Sequence, residues 1–132
     1  MQLHLDEQRG LSQLLEDYLR QWEERTGIAV EVWALPGGNV PSQVAEVVLT
    51  TVREALDNVE RHSKARTVSV AVTAGARGLR LTISDDGAGF PLGTEGRGLR
   101  VMKAGLANIS GVLKINSVLG GGTTVSAVAP LG

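Results

Sequence analysis

A polar edge on an otherwise apolar helix is the first place in this sequence where chemistry could occur. Residues 41–61 carry valines and alanines at helical spacing, and at about 100° per residue these form one apolar stripe. Glu54, Asn58 and Arg61 line one edge of the stripe, and His62 falls near its centre. Polar groups left unpaired at such positions cost about 1–3 kcal/mol each. The pattern predicts either a site for an anion and its metal ion, or a solvated rim with a satisfied histidine near the helix end.

Two glycine-containing segments lie where a backbone could approach a ligand closely. Residues 85–89, Asp-Asp-Gly-Ala-Gly, directly follow a predicted strand, so that Asp85 could accept a hydrogen bond from a ligand amino group. Residues 96–99, Gly-Arg-Gly-Leu, open a predicted helix, whose first N–H groups attract phosphate. Taken alone, the first segment is more often an ordinary turn and the second more often a helix cap than a ligand site. Neither is a P-loop, and the glycine pairs do not open a βαβ unit.

The elements that must position these groups are indicated by hydrophobic periodicity and by turn residues. The final glycine run, 120–122, reads as a tight turn, and Arg53, Asp57 and Glu60 are predicted to form a solvated helix face. The first predicted helix covers 7–25, is capped by Asp6 or Ser12 and is ended by Gly27. A strand over 28–33 follows, and then a helix from Pro41 to 61 or 63. The remaining predicted elements are strands over 67–73 and 79–84 joined by a loop over 74–78, a helix over 99–109, and strands over 112–117 and 124–129.

This order predicts an α+β, two-layer α/β sandwich. Neighbouring strands favour antiparallel hairpins, so we expect a mixed, mostly antiparallel sheet of about five strands with three helices on one face. The 132 residues suit a single domain over 1–132, and a hydrophobic fraction of 42% suits a packed core. There is no cysteine, which excludes disulfides and thiolate metal sites.

The charge balance bounds the partners. Thirteen basic and fourteen acidic side chains give a net charge of −1, which gives no reason to expect nucleic acid or membrane contact. The first residues lack the apolar core of a signal peptide. We therefore expect this chain to be cytoplasmic, while a longer parent could be membrane-anchored.

The order and spacing of these segments carry a specific resemblance. Residues 53–62 resemble the N box of two-component sensor histidine kinases, 85–89 their first glycine box, and 96–99 their second. Gly122-Thr123 matches the closing Gly-Thr of the family, and Pro130 the proline after the last strand. The chain thus resembles the catalytic ATP-binding domain of these kinases. The compact N box and short lid look most like kinases that serve response regulators with helix-turn-helix outputs.

The resemblance implies the Bergerat ATP-binding fold of the GHKL superfamily, with ATP and Mg²⁺ as cofactors. It implies that Asp85 hydrogen-bonds the adenine amino group, with Thr123 nearby through water. It implies that Asn58 ligates Mg²⁺ and that Glu54 is the general base or orienter for the attacking imidazole. The further nucleotide contacts that it implies are Arg61, His62, Gly87, Gly89, Gly96, Gly98 and Leu99, with Lys64 as a weaker candidate.

The implied reaction is transfer of the γ-phosphoryl group to a histidine of a dimerisation domain absent from this chain. Neither His4 nor His62 has the sequence context of the phospho-acceptor, so we expect no autophosphorylation by this chain alone. The implied partners are ATP, the dimerisation and phospho-acceptor domain, and a response regulator. Two alternatives stay open: an anti-sigma-factor serine kinase of the same superfamily, and a degenerate nucleotide-binding module that docks a partner without phosphorylating it.

Overall fold

A computed structural model describes residues 2–37, 40–88 and 96–131, with side chains from residue 10 onward except at 62 and 63. Three α-helices and five strands occur in this part of the chain, in the predicted order. The helices are α1 (Gln2–Thr26), α2 (Ser42–Asn58) and α3 (Arg97–Asn108), and a single π-helical turn, Val59–Ser63, extends α2. The strands are β1 (Ala29–Ala34), β2 (Thr67–Gly75), β3 (Gly78–Asp85), β4 (Val112–Val118) and β5 (Gly122–Ala129).

The five strands form one mixed sheet in the order β1-β2-β3-β5-β4. Only β1 and β2 run parallel; the other three pairs are antiparallel. Alternate residues of β2, β3 and β5 are buried, and those between them face the open side of the sheet. The helices cover the buried face, and their apolar side chains complete the core, with Trp22, Leu15, Leu56 and Met102 at most 2% exposed. The predicted fold class is therefore confirmed.

Helix α1 differs from its prediction at the start. It begins at Gln2 rather than near residue 7, and Gly10 interrupts it with φ 74° and ψ 166°. Only glycine adopts such a backbone conformation without strain, so the regular helix that packs on the core begins after Gly10. Gly27, with φ 77°, ends α1 as predicted. None of the helices in the described ranges is both long enough and apolar enough to cross a lipid bilayer.

Two connections also differ from the sequence-based expectation. The β2–β3 hairpin pairs as far as Gly75 with Gly78, so its turn contains two residues rather than the predicted five over 74–78. Helix α2 begins directly after Pro41, as predicted, but its last turn is π-helical and ends at Lys64, which has φ 55°. A π turn advances less per residue than an α turn, so side chains after Asn58 lag behind their α-helical directions.

Candidate functional site

A pocket opens between α2 and the ends of three strands. Its floor is one row of apolar side chains across the sheet, in which Val125 pairs with Ile83 on one side and Ile115 on the other. Helix α2 forms the opposite wall. The complete lining comprises Ala55, Asn58, Val59, Ile83, Asp85, Ile115, Thr123 and Val125. A flat apolar floor beside a few polar groups is a common design for a small-molecule site.

The next row of the same three strands is polar. Thr123 pairs with Asp85 on β3 and with Ser117 on β4, so the three residues lie side by side at the sheet end. Asp85 and Thr123 are 9% and 7% exposed, which makes them two of the few buried polar residues in the described part of the chain. The hydroxyls of Ser117 and Thr123 are 2.9 Å apart and share a hydrogen bond.

Burial raises the pKa of the Asp85 carboxyl above its ordinary value. The backbone N–H groups of Gly87 and Thr123 partly offset this effect, and Gly87 donates to Asp85 Oδ1 at 2.8 Å. Gly122 allows the strands to approach here: it has φ 89°, and a Cβ at this position would clash with the Asp85 carbonyl oxygen. The match of Gly122 to the family's closing Gly-Thr thus has a structural cause.

The adjacent Asp86 has a different environment. Its Oδ1 accepts from the backbone N–H groups of Arg66 at 2.9 Å and Thr67 at 3.1 Å. These hydrogen bonds lower the pKa of the Asp86 carboxyl, which is exposed. Asp86 therefore joins the end of β3 to the start of β2, while Asp85 lines the pocket.

Glu54 and Asn58 meet Gly98 at the mouth of the pocket. A Cβ on Gly98 would lie 2.9 Å from Glu54 Oε1 and 3.6 Å from Asn58 Oδ1. Neither polar side chain makes a hydrogen bond or ion pair with another residue of the described ranges. The Glu54 and Asn58 oxygens therefore border a space beside Gly98 that a side chain at that position would fill. Oxygen atoms of this kind suit Mg²⁺, which prefers oxygen ligands.

The remaining predicted contacts divide into three groups. Gly96 precedes α3 as its N-cap, and Leu99 packs against the core in its first turn. Arg61 lies in the π turn, is exposed and pairs with Asp57 Oδ2 at 3.2 Å, four residues before it. The exposed Lys64 lies beyond the turn, and the predicted contacts of the His62 side chain and Gly89 fall outside the described residues.

Sequence reasoning missed the pocket floor. Ile83, Ile115 and Val125 all lie in predicted strands, but a strand prediction does not report which strands are neighbours. The pairing of β3 with β5 is long-range, and it creates both the floor and the polar row. Ser117 was missed for the same reason.

Comparisons with known proteins accord with this geometry. Residues 43–132 match the family model described as "Histidine kinase-, DNA gyrase B-, and HSP90-like ATPase". The chain belongs to this ATPase family. The predicted resemblance is thereby confirmed for the ATPase domain.

Several sensor kinases are similar to this ATPase domain over most of its length. It is 37% identical over 128 residues to the sensor histidine kinase MctS of Rhizobium johnstonii, and 33% identical over 128 residues to the sensor histidine kinase LiaS of Bacillus subtilis. It is 31% identical over 120 residues to the nitrate/nitrite sensor protein NarX of Escherichia coli. These alignments cover 92%, 95% and 88% of this chain but only 28%, 35% and 20% of the relatives.

A solved structure has the same architecture. The blue-light activated histidine kinase of Erythrobacter litoralis EL346 superposes on the ATPase domain with a TM-score of 0.76 and 25% sequence identity. The superposition covers 92% of this chain and 42% of that chain.

Proposed function

We propose that this ATPase domain is the catalytic domain of a sensor histidine kinase, which binds Mg-ATP and transfers the γ-phosphoryl group to a histidine of a separate dimerisation and phospho-acceptor domain. The observation that carries the proposal is the division of the site into two ends. A buried carboxylate stands beside an apolar floor at one end. At the other end, Glu54 Oε1 and Asn58 Oδ1, which have no partner among the described residues, face Gly98 at the start of α3.

The apolar end suits a purine base. The base would stack over Val125, Ile83 and Ile115, and Asp85 would accept a hydrogen bond from the adenine amino group. An ionised carboxylate can only accept hydrogen bonds, and few water molecules compete at a nearly buried one. Thr123 would contribute its hydroxyl beside Asp85, directly or through water.

The mouth of the pocket suits the phosphates and their metal ion. Asn58 Oδ1 would be a protein ligand of Mg²⁺, which needs few protein ligands because it keeps phosphate oxygens and water. When bound, the ion would neutralise charge on the phosphates. Gly98 would admit the phosphates close to the N-terminus of α3, where free N–H groups attract anions. Contacts of Arg61, His62 and Gly96 with the phosphates, and of Gly89 with the nucleotide, stay predictions.

Glu54 would act on the acceptor. A nitrogen of the acceptor imidazole would attack the γ-phosphorus, the new N–P bond would form as the bond to the bridging oxygen breaks, and ADP would leave. Glu54 would hold or remove the proton of the other ring nitrogen, which aims the attacking lone pair. The chain supplies position and charge rather than a covalent intermediate.

The relatives' names suggest the wider setting. We propose that the domain works in the cytoplasm within a longer kinase and that a response regulator receives the phosphoryl group. The N box further suggests a regulator with a helix-turn-helix output.

The decisive experiment supplies γ-labelled ATP and Mg²⁺ to the chain with and without the separately expressed phospho-acceptor domain of its kinase. We expect calorimetry to detect ATP binding by the chain alone, and label to appear only on the added domain. That label should be lost in acid, because phosphohistidine is acid-labile. Acid-stable label on a partner's serine would favour an anti-sigma-factor kinase, and ATP binding without any transfer would favour a nucleotide-binding docking module.

A further inference from the structure

The polar row at the sheet end contains a hydroxyl with no assigned role. Ser117 Oγ lies 2.9 Å from Thr123 Oγ1, and Thr123 lies next to Asp85 in strand register. We propose that Ser117 is a positioning residue, which orients the Thr123 hydroxyl toward N1 of the adenine base and thereby contributes to the preference for adenine over guanine. This inference rests on the proposed function of the pocket.

Strand geometry places all three side chains on the helix-covered face. In β5, Thr123 alternates in phase with the buried Val125, and in β4 Ser117 alternates in phase with Ile115 of the pocket floor. Thr123 lies in the middle of the row and contacts Ser117 on one side, so its hydroxyl has a fixed hydrogen-bond partner before any nucleotide arrives. Ser117 itself is absent from the pocket lining and acts through Thr123.

The direction of the Ser117 and Thr123 hydroxyl protons determines which base the site prefers. Adenine presents a donor, the 6-amino group, beside an acceptor, N1, whereas guanine presents an acceptor beside a donor. Ionised Asp85 can only accept, which matches the amino group. N1 then needs a donor at the neighbouring position. If Ser117 donates to Thr123 Oγ1, the Thr123 proton is directed elsewhere and can be donated to N1, directly or through one water molecule.

The chain offers a matched control for this serine. Ser84 Oγ and Thr124 Oγ1 form the same type of hydroxyl pair, also 2.9 Å apart, between β3 and β5. This pair lies on the opposite face of the same sheet, because Ser84 and Thr124 alternate with the buried Asp85 and Thr123. Removing either serine deletes one hydroxyl from a strand, but only Ser117 faces the nucleotide side.

The test measures dissociation constants of ATP, GTP and 1-deaza-ATP, in which N1 is replaced by C–H, for the wild type, Ser117→Ala and Ser84→Ala. We expect Ser117→Ala to weaken ATP binding by about 3–10-fold, the worth of one hydrogen bond, and to leave 1-deaza-ATP binding unchanged. The ATP-to-GTP preference should fall by a similar factor. Ser117→Thr should restore ATP affinity, and Ser84→Ala should leave all three constants unchanged.

The outcomes separate this inference from the proposed function. Equal weakening of ATP and 1-deaza-ATP by Ser117→Ala would mean that Ser117 only supports the strand, which overturns the inference. Unchanged ATP binding in Ser117→Ala, alongside weakened binding in Asp85→Asn, would overturn it while the pocket assignment stands. Absence of ATP binding by the wild type would overturn the proposed function itself. If Ser117→Ala does not fold, Ser117→Cys, similar in size but a weaker donor, makes the same comparison.

Discussion

Helix α2 carries polar side chains toward two different regions of the molecule, and the two sets differ in how they are satisfied. Toward α1, the guanidinium of Arg53 lies 5.8 Å from the centroid of the Tyr18 ring, and Glu60 pairs with Arg25 at 2.8 Å. Toward the pocket, Glu54 and Asn58 have no such partner within the described residues. On the α1 side, Arg53 and Glu60 thus have protein partners and need no ligand.

This difference identifies function better than composition does, because both sides of α2 are rich in charge. Polar groups that are partly withdrawn from water are normally paired, and those left unpaired in a cleft are candidates for ligand binding or catalysis. The α1 side was predicted to be merely solvated. Its residues are indeed largely exposed, but they also connect α2 to α1. If the comparison is correct, substitutions on the pocket side should affect function and those on the α1 side only stability.

The largest effect should come from Glu54. We expect Glu54→Gln to slow phosphoryl transfer to the acceptor domain by about 10²–10⁴-fold, the range for loss of a general base, and to leave ATP affinity nearly unchanged. Single-turnover labelling and calorimetry measure the two quantities separately. Glu46→Gln, an exposed position on the same helix, is the matched control. If Glu54→Gln weakens ATP binding as strongly as removal of Asn58, the two residues do not divide the work as proposed.

Asn58→Ala should have the next largest effect, on binding. We expect Mg²⁺ to tighten ATP binding in the wild type and not in the variant, with a loss of about 10-fold or more, because a contact with a charged group is worth about 1.5–3 kcal/mol. Titrations with ATP in Mg²⁺ and in EDTA provide the measurement. Asn116→Ala, exposed on the open face of β4, should behave as the wild type. Retained Mg²⁺ dependence in Asn58→Ala would assign the ion to other ligands.

Asp85→Asn should weaken ATP binding and yet stabilise the unliganded protein at neutral pH. Burial raises the pKa of Asp85, so the folded state holds this proton more tightly than the unfolded state does. The stability that Asp85 contributes is fully present below the pKa that it has in the unfolded state, and is lost as pH rises through its raised pKa in the folded state. The ionised carboxylate therefore opposes folding at pH 7, and asparagine removes that cost. We expect a higher Tm for Asp85→Asn at pH 7, and a gain that disappears toward pH ~4.

Asp86→Asn is the opposite control for this pH experiment. The pKa of Asp86 is lowered by its hydrogen bonds to the Thr67 and Arg66 amides, so its contribution is present above the unfolded pKa and is lost as pH falls through the folded pKa. The substitution should lower the Tm at pH 7 and leave ATP binding unchanged. Thermal unfolding between pH 4 and 8 tests both signs. Tm changes of the same sign in the two variants at pH 7 would contradict the burial argument.

Much of this site could be predicted from sequence, because motif residues also follow local periodicity. The stripe on α2 correctly put Glu54 and Asn58 on one edge, and the glycine-containing segment 85–89 correctly put Asp85 at a strand end, as the last residue of β3. Helix and strand types were likewise predictable from spacing alone. These are properties of short stretches of chain.

Features that depend on distant residues or on unusual backbone geometry could not be predicted. The pocket floor and the Ser117–Thr123 pair exist only because β5 lies between β3 and β4. The π turn that contains Arg61 is not anticipated by α-helical periodicity. The break at Gly10 was missed as well, since a single glycine within a helical pattern is usually tolerated.

The smallest effect should come from Arg53 on the α1 side, and it tests whether the two sides of α2 are independent. Its guanidinium lies over the Tyr18 ring, and a cation–π contact at an exposed site is worth about 0.5–1 kcal/mol. We expect Arg53→Ala to lower the free energy of unfolding by about that amount and to leave ATP affinity and transfer rate unchanged, although Arg53 directly precedes Glu54 in sequence.

A double-mutant cycle with Tyr18→Leu assigns the loss to the ring, because Arg53→Ala should cost little once the ring is absent. Urea unfolding of the four proteins gives the stabilities, and calorimetry with Mg-ATP gives the affinities. Arg53 and Glu54 are adjacent on α2, so their side chains point about 100° apart. A disturbance of the backbone at Arg53 would therefore reach Glu54, whereas the loss of the side-chain contact with Tyr18 would not. A clear loss of ATP affinity in Arg53→Ala would show that the α1 contacts position the pocket side, and the separation of the two regions would then fail.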